Sequence, residues 1–306
     1  MKRATATWLG LAAILVWSAN TSATVTLVRH LGPLTALTLV SGLAGTGLAV
    51  IEGVRRRSPL AFLRVGLPFG LLGGACFVLY QMLFFTAFAL APDLSAPLNL
   101  VNYLWPSLTV LLCIARARHA LQVRPATLLG GLALGLLGIA LAIAPDPSPT
   151  ALLATIRGCP LAFLAMLAAA VAWAAYSALA VPLHRPGAPS GTPLFFLLVA
   201  LTAGTMRCCS DEHSTLAMQD LPVLAYSVVA GSAGAYLMWE LAMRSGDVPL
   251  LGALSNALPL LSTLVLWLVL GAPGGGMLGL AAVLVGAGAL LVHRGARPRP
   301  EGAAQM

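Results

Sequence analysis

The sequence predicts an all-α membrane protein with ten transmembrane helices, arranged as two inverted five-helix repeats around a central cavity. Three observations lead to this fold class. Of the 306 residues, 59% are hydrophobic and only 8% are charged, whereas a soluble domain carries about 25% charged residues. Apolar runs of about 20 residues, each long enough to cross the hydrocarbon layer, recur along the chain. Polar motifs of the first half return in the second half.

The ten predicted spans are joined by short connections. The first follows a Met-Lys-Arg start that superficially resembles a signal peptide, but its apolar run is too long for one and many spans follow it. The seventh is the weakest, because the polar residues from Arg207 to Ser210 cut it short. The predicted spans lie near residues 7–28, 33–51, 66–90, 95–114, 126–144, 159–181, 192–207, 221–243, 249–270 and 275–293.

The repeat is visible in two matched motifs. WSANTS, which begins at Trp17, resembles WAAYSA, which begins at Trp173, at an offset of 156 residues. Asn102 and Asn256 lie in similar surroundings at an offset of 154 residues. Because each repeat has an odd number of helices, the second enters the membrane from the opposite side, as in many secondary transporters.

The repeats divide the chain into residues 1–150, residues 151–293 and a basic, proline-rich tail, 294–306, that we expect to be disordered and cytoplasmic. With both termini in the cytoplasm, all but three of the 17 lysines and arginines fall on the inside. This distribution obeys the positive-inside rule. It also supports the count of ten spans, since an odd number would scatter the basic residues over both sides.

Several partners and activities are excluded by the sequence. The high pI, about 9.9, reflects basic residues in short loops, so it indicates membrane topology and not nucleic-acid binding. The five cysteines show no metal-binding spacing, and no phosphate-binding loop or hydrolase motif is present. We therefore expect no metal, no cofactor and no enzymatic activity. The glycine pairs Gly70–Gly74 and Gly131–Gly135 favour internal helix packing over a dimer interface, so a monomer is expected.

Polar and aromatic side chains share helix faces within several predicted spans. In LNLVNYLWPSLTVLL, the side chains of Asn99, Asn102, Tyr103 and Pro106 are spaced to lie on one face. Such faces turn away from lipid, because an exposed amide is costly there. An inward amide can bind substrate or bond a neighbouring helix. The predicted substrate-binding residues are the asparagines as amide contacts and the aromatic residues as walls: Trp17, Asn20, Tyr80, Asn99, Asn102, Tyr103, Trp173, Tyr176, Tyr236 and Asn256.

The predicted spans contain almost no charge. Glu240 is the only acid inside one, where an ion pair with Arg244, one helical turn later, is the simpler interpretation. A pathway without net charge suits a neutral or zwitterionic substrate, and the lack of a central carboxylate favours uniport or weak ion coupling. Pro106 and Pro259 are predicted hinges, since proline interrupts helix hydrogen bonding.

These features resemble the EamA group of the drug/metabolite transporter superfamily. LVWSAN in the first span and AWAAYSA in the sixth are similar to that group, and VNYLWPSLTVL resembles the YddG-type aromatic amino acid exporters. The resemblance covers nearly the whole chain. It implies a basket of ten helices in the bacterial inner membrane, with spans 1, 3, 4, 6, 8 and 9 around the cavity. It further implies export of phenylalanine, tyrosine, tryptophan and other neutral amino acids. The two inverted halves predict that export proceeds by alternating access.

Two alternatives stay open at this point. One is an exporter of drugs or another small metabolite from the same superfamily. The other is a membrane enzyme or a scaffold, against which the uncharged spans and the matched polar faces argue.

Overall fold

The chain folds as an all-α membrane protein with one short β-ribbon. Its structure is a computed structural model that describes residues 2–117, 121–143, 148–180, 183–185, 187–246, 251, 254–271 and 275–298. In this part of the chain, eight helices are long and apolar enough to cross a membrane. Two shorter apolar helices, Thr192–Cys208 and Leu258–Leu270, occupy the predicted seventh and ninth spans, for which membrane crossing stays a prediction.

The helices are numbered here in chain order. They are α1 Arg3–Leu31, α2 Pro33–Arg56, α3 Leu67–Leu90, α4 Ser95–Asn102, α5 Trp105–Ala117, α6 Pro125–Ile143, α7 Pro149–Gly158, α8 Pro160–Ala175, α9 Thr192–Cys208, α10 Leu221–Ala225, α11 Ala235–Ser245, α12 Leu258–Leu270 and α13 Gly275–Gly295. Short 3₁₀ turns cover Ala61–Leu63, Pro92–Leu94 and Met218–Asp220.

Two acidic residues that the sequence analysis placed outside the predicted spans lie in the apolar helices of the structure. α2 continues beyond residue 51 to Arg56, so it includes Glu52, which is buried. Asp220 is also buried and lies in the apolar helical stretch that forms the eighth span. The expectation that Glu240 is the only acid in a span is therefore wrong. The side chains of Glu240 and Arg244 lie outside the described residues, so their ion pair stays a prediction.

Two of the predicted spans are interrupted near their middle. In the fourth, α4 ends at Asn102, residues 103–104 form a turn and α5 begins at Trp105. The predicted fourth span, near 95–114, is present as the stretch Pro92–Arg116 and contains this turn. In the ninth, residues 256–257 form a similar turn directly before α12.

The two turns have the same construction. In each, the N–H of the second turn residue donates to the carbonyl oxygen three residues earlier, at 3.1 Å from Leu104 and 3.0 Å from Ala257. Such bonds are typical of a 3₁₀ turn. Pro106 and Pro259 follow as the second residue of the next helix. Proline is tolerated there, because the first N–H groups of a helix have no partner within it.

The positions of the two turns differ from the predicted match of Asn102 with Asn256. Pro106 and Pro259 are 153 residues apart, as are the two turns, and this is half of the 306-residue chain. The match of Asn102 with Asn256, which needs an offset of 154, is therefore shifted by one residue. Asn102 is the last residue before the first turn, whereas Asn256 is the first residue of the second turn, so the two asparagines differ in position relative to the turns.

The sixth and eighth spans contain π-helix, which nothing in the sequence predicted. The segment Tyr226–Gly234 joins α10 to α11 and is called the π segment below. In the sixth span, Tyr176–Ala180 continues α8 in the same conformation. π-Helix is rare, occurs mostly as single turns and is frequent at functional sites.

The helices pack in pairs. α2 lies against α9, α6 against α13, α3 against α8 and α1 against α11. In terms of spans, these pairs are 2 with 7, 5 with 10, 3 with 6 and 1 with 8. If every span is replaced by the span five positions away, the same four pairs result. Gly131 permits the close approach of α6 to α13, because a Cβ on it would lie 2.7 Å from the Gly288 carbonyl oxygen. The internal packing predicted for this glycine is confirmed.

The β-ribbon ties the end of α13 to the chain before α6. Strands β1 Leu121–Val123 and β2 Ala296–Pro298 pair in antiparallel fashion. The predicted disorder from residue 294 is therefore wrong as far as Pro298. Residues 299–306 lie outside the described residues.

Candidate functional site

The two ends of the helix bundle are built differently. At one end α1 meets α2 at Gly32, and the Glu212 carboxylate accepts a hydrogen bond from the Leu34 N–H at 3.0 Å. This is called the cavity end. At the other end, the Arg56 guanidinium donates to the carbonyl oxygen of Gly187, in the loop before α9, at 3.2 Å. This is called the aromatic end.

A cavity opens between α1, α2, α3 and the π segment. Its α1 and α2 residues lie within about 20 Å of Gly32, at the ~1.5 Å rise per residue of a helix. Of the described residues that line it, none carries a charge. The apolar part of the lining is leucine, valine and phenylalanine. The polar part is Asn20, Thr24, Ser41, Tyr80, Gln81, Ser227, Ser232 and Tyr236.

The lining differs from the set of helices that the resemblance implied. The second span contributes Leu37, Val40 and Ser41, although it was not among the implied helices. The fourth, sixth and ninth spans contribute no described residue to the lining. The cavity is therefore displaced toward the second span.

The cavity is too small for an amino acid in this conformation. The cavity volume is about 30 Å³. One water needs about 10–15 Å³ by the same measure, so the cavity accommodates about two waters. An aromatic substrate requires the surrounding helices to move apart.

Five aromatic rings form the base of the cavity and are called the aromatic floor: Trp17, Phe77, Tyr80, Trp173 and Tyr236. Tyr80 and Tyr236 line the cavity itself. The Trp173 ring centre lies 4.8 Å from that of Tyr80 and 6.2 Å from that of Tyr236. Trp17 and Phe77 lie 5.2 Å and 5.7 Å from Tyr236. These spacings are within the range in which aromatic pairs attract each other.

Further rings fill the bundle between the floor and the aromatic end. Tyr176 stacks on Trp173 at 5.1 Å with an interplanar angle of 29°. It also contacts Phe69 at 6.4 Å and Phe195 at 6.1 Å. Tyr176, predicted as a substrate contact, therefore lies behind the floor and does not line the cavity. This packing closes the aromatic end.

Asn99 links three helices. It is 0% exposed. Its Oδ1 accepts a hydrogen bond from Thr21 of α1 at 2.9 Å, and its Nδ2 donates to Ser262 of α12 at 2.9 Å. Both ends of the amide are therefore engaged within the protein. The alternative considered for such residues, a bond to a neighbouring helix, describes Asn99.

Asn102 and Tyr103 lie at the break after α4. Asn102 is 5% exposed, and its Oδ1 has no hydrogen-bond partner. The Tyr80 hydroxyl lies beside this amide. Tyr103 is buried next to Ser262. Asn102 thus adjoins Tyr80 of the aromatic floor, and its Oδ1 is free to accept a hydrogen bond.

Asn256 lies away from the cavity. It is half-buried in the turn before α12. Its carbonyl oxygen faces α13, where a Cβ on Gly286 would lie only 2.5 Å away. Of the ten predicted substrate contacts, Asn20, Tyr80 and Tyr236 line the cavity. Trp17, Trp173 and Asn102 do not line it but adjoin Tyr236 or Tyr80.

Comparison with known proteins assigns the chain to a family. The protein named aromatic amino acid exporter YddG from Ancylobacter novellus is 32% identical over 301 residues, which are 94% of this chain and 97% of the relative. This chain belongs to the YddG family. YddG of Salmonella typhimurium is 26% identical and covers 96% of the chain, and YddG of Escherichia coli is 25% identical and covers 95%. The resemblance stated from the sequence is confirmed.

The structural comparison finds a solved structure with a similar fold. A crystal structure of a protein with 29% identity superposes with a TM-score of 0.67, over 95% of this chain and 96% of the other. No protein-family model matches the chain. The YddG relatives are named as exporters, which are transporters and not enzymes, so the prediction that the chain is not an enzyme is confirmed.

The YddG-family chain also has a polar network at the cavity end that the sequence did not reveal. Besides Leu34, the Thr35 N–H donates to Glu212, at 2.8 Å. The carboxylate thus satisfies free N–H groups at the start of α2, where a negative charge is favourable. His30 contacts Asp220 at 2.5 Å. These contacts fasten the chain between α9 and α10 to the junction of α1 with α2.

Proposed function

We propose that this protein exports aromatic and other neutral amino acids across the bacterial inner membrane by alternating access. One observation carries the proposal: a cavity whose described lining residues are uncharged rests on the aromatic floor, in a chain 32% identical to a protein named aromatic amino acid exporter YddG. Aromatic rings offer faces and edges to an aromatic side chain. A zwitterion has no net charge and matches a lining without one.

The alternating-access mechanism is supported by the closed cavity and by the two broken helices. Helix breaks at membrane depth are typical of transporters built from inverted repeats. The helix pairs, which are unchanged when the halves are exchanged, favour residues 1–150 and 151–293 as the two repeats. In this mechanism the halves rock about the site. The turns before Pro106 and Pro259 serve as hinges.

The proposed topology has both termini in the cytoplasm and the cavity end outside. The distribution of lysine and arginine supports it, because the basic loops then lie at the aromatic end. In this orientation, the packed rings around Tyr176 and Phe195 separate the cavity from the cytoplasm. Export then requires this packing to open.

The proposed energetics is uniport or weak coupling to an ion gradient. The two buried acids among the described residues of the spans are paired: Glu52 with Arg56 and Asp220 with His30. Neither lines the cavity. A dependence of flux on an imposed pH gradient, lost in Asp220→Asn, would contradict this part of the proposal.

The test is exchange of labelled phenylalanine into proteoliposomes loaded with unlabelled phenylalanine, without an ion gradient. Saturable exchange that tryptophan inhibits is the expected result. Trp173→Ala should lose it, because that ring holds the floor together, and Trp267→Ala should keep it, since Trp267 is half exposed on the outside of α12. Competition by cationic drugs but not by amino acids would instead support the alternative of a drug exporter.

A further inference from the structure

Two buried serine hydroxyls on the cavity wall have no hydrogen-bond partner. Ser41 is 0% exposed and Ser227 is 3% exposed, and the Oγ atom of each is unpaired. Both residues line the cavity. An unpaired buried hydroxyl has lost its hydrogen bonds to water without replacement, so such groups are rare and require an explanation.

The two serines belong to different helices that meet at the cavity. Ser41 lies in α2, and Ser227 lies in the first turn of the π segment, against which α2 packs. Gln81 and Ser232 line the same cavity and are also buried. The wall beside the aromatic floor is therefore polar, hydrogen-bonding and uncharged.

The π conformation explains how two serines of one helix reach the same cavity. Ser227 and Ser232 are five residues apart. In an α-helix with 3.6 residues per turn they would point about 140° apart. In π-helix the hydrogen bonds join residues five apart, which brings such residues onto the same side. Both side chains accordingly line the cavity.

Contacts with α1 hold the π segment in this form. The Trp17 indole N–H donates to the Gly231 carbonyl oxygen at 3.2 Å. The Tyr226 hydroxyl donates to the Val16 carbonyl oxygen at 2.5 Å. The same tryptophan belongs to the aromatic floor, so the floor and the polar wall are joined.

We propose that Ser41 and Ser227 form a polar subsite that binds the ammonium and carboxylate end of an amino acid, while its side chain rests on the aromatic floor. This inference rests on the proposed function, in which the substrate is an amino acid with an ammonium and a carboxylate group. A hydroxyl donates to a carboxylate and accepts from an ammonium group. Hydrogen bonds to such charged groups are the stronger ones.

The subsite would separate amino acids from other flat molecules. An aromatic cation or hydrocarbon can rest on the floor but leaves the two hydroxyls unpaired. A site whose buried polar groups stay unpaired rejects that ligand. Waters are the competing occupants, since the closed cavity accommodates about two of them.

The experiment measures KM and kcat for phenylalanine exchange in proteoliposomes with Ser41→Ala, Ser227→Ala and the double variant. Ser22→Ala is the matched control, because Ser22 is likewise buried and unpaired but does not line the cavity. Each cavity variant should raise KM about tenfold or more with kcat retained. Ser22→Ala should keep the KM of the wild type.

Thermal unfolding separates this effect from damage to the fold. Removing an unpaired hydroxyl takes away a desolvation cost, so all three single variants should unfold at the wild-type temperature or above it. Wild-type KM in both cavity variants, or an equal rise in Ser22→Ala, would overturn the subsite alone. If the wild type does not exchange phenylalanine at all, the proposed function fails and takes the subsite with it.

Discussion

The breaks in the fourth and ninth spans share one backbone form but are stabilised by different contacts. At the fourth, the Asn99 amide bonds Thr21 and Ser262, so side chains hold the break. At the ninth, the backbone carbonyl of Asn256 lies directly against Gly286, so close helix packing holds it. The turn followed by proline thus has the same backbone form in both spans, while the neighbouring helices determine which contacts each turn makes.

The difference extends to the two asparagines that first indicated the repeat. Asn102 adjoins Tyr80 and keeps an unpaired oxygen beneath the aromatic floor. Neither asparagine lines the cavity, but Asn102 adjoins Tyr80, which does. If Asn102 and Asn256 were equivalent, as the sequence motif indicates, mutation of either would reduce transport equally. The structure predicts that mutation of Asn102 reduces transport more.

The largest expected effect is on transport by Asn102→Ala. We expect phenylalanine exchange to fall about tenfold, because the Tyr80 hydroxyl, which belongs to the cavity lining, loses the amide beside it at a cost of about 1–3 kcal/mol. Asn256→Ala is the matched variant and should change exchange by less than about threefold, below 1 kcal/mol. Equal losses in both would restore the symmetric interpretation.

Asn99→Ala should reduce stability more than either of those variants. It removes two interhelical hydrogen bonds and leaves the Thr21 and Ser262 hydroxyls buried without their partner. The expected cost is about 1–3 kcal/mol, measured by thermal unfolding of the purified protein in detergent. An unchanged unfolding temperature would show that side-chain bonds do not hold the first break.

Gly286→Ala tests the second break. Its Cβ would lie 2.5 Å from the Asn256 carbonyl oxygen, so α12 and α13 must separate. Overpacking of this kind costs about 1–3 kcal/mol, again read from thermal unfolding. Gly279→Ala on the same helix has nothing within 4 Å of its Cβ and should be neutral or slightly stabilising, because alanine favours helix over glycine. An equal loss in both variants would contradict the close packing at Gly286.

The smallest effect is expected from the prolines after the two turns. Pro106→Ala and Pro259→Ala restore an N–H and let the adjoining helices extend through the turn. We expect maximal exchange rates to fall about two- to fivefold, corresponding to ~0.4–1 kcal/mol, with KM unchanged. Single-variant rates that equal the wild type would remove the hinge role.

Much of the fold follows from composition and hydrophobic length. Runs of apolar residues located eight of the helices, and the polar amides of the fourth span marked a segment that is buried in the structure. Both prolines lie next to a real break. The sequence does not decide between two alignments of the halves, since Asn102 and Asn256 favour an offset of 154 residues and the prolines an offset of 153.

The site was only partly readable, because hydrogen-bond partners are set by tertiary packing. No local pattern tells that Asn99 meets Thr21 and Ser262. A serine hydroxyl in a helix commonly bonds its own helix, so the sequence does not mark Ser41 and Ser227, whose hydroxyls make no such bond. The π segment rotates its side chains away from the α-helical positions that sequence periodicity assumes.

The central claim is that the aromatic floor carries amino acids outward. The most direct measurement is the release of phenylalanine from bacterial cells loaded with a phenylalanine-containing dipeptide that is hydrolysed inside. Cells that make the wild-type protein should release phenylalanine faster than cells with equal membrane amounts of Trp173→Ala, and Trp267→Ala should match the wild type. Equal release from the wild type and from Trp173→Ala would contradict the account.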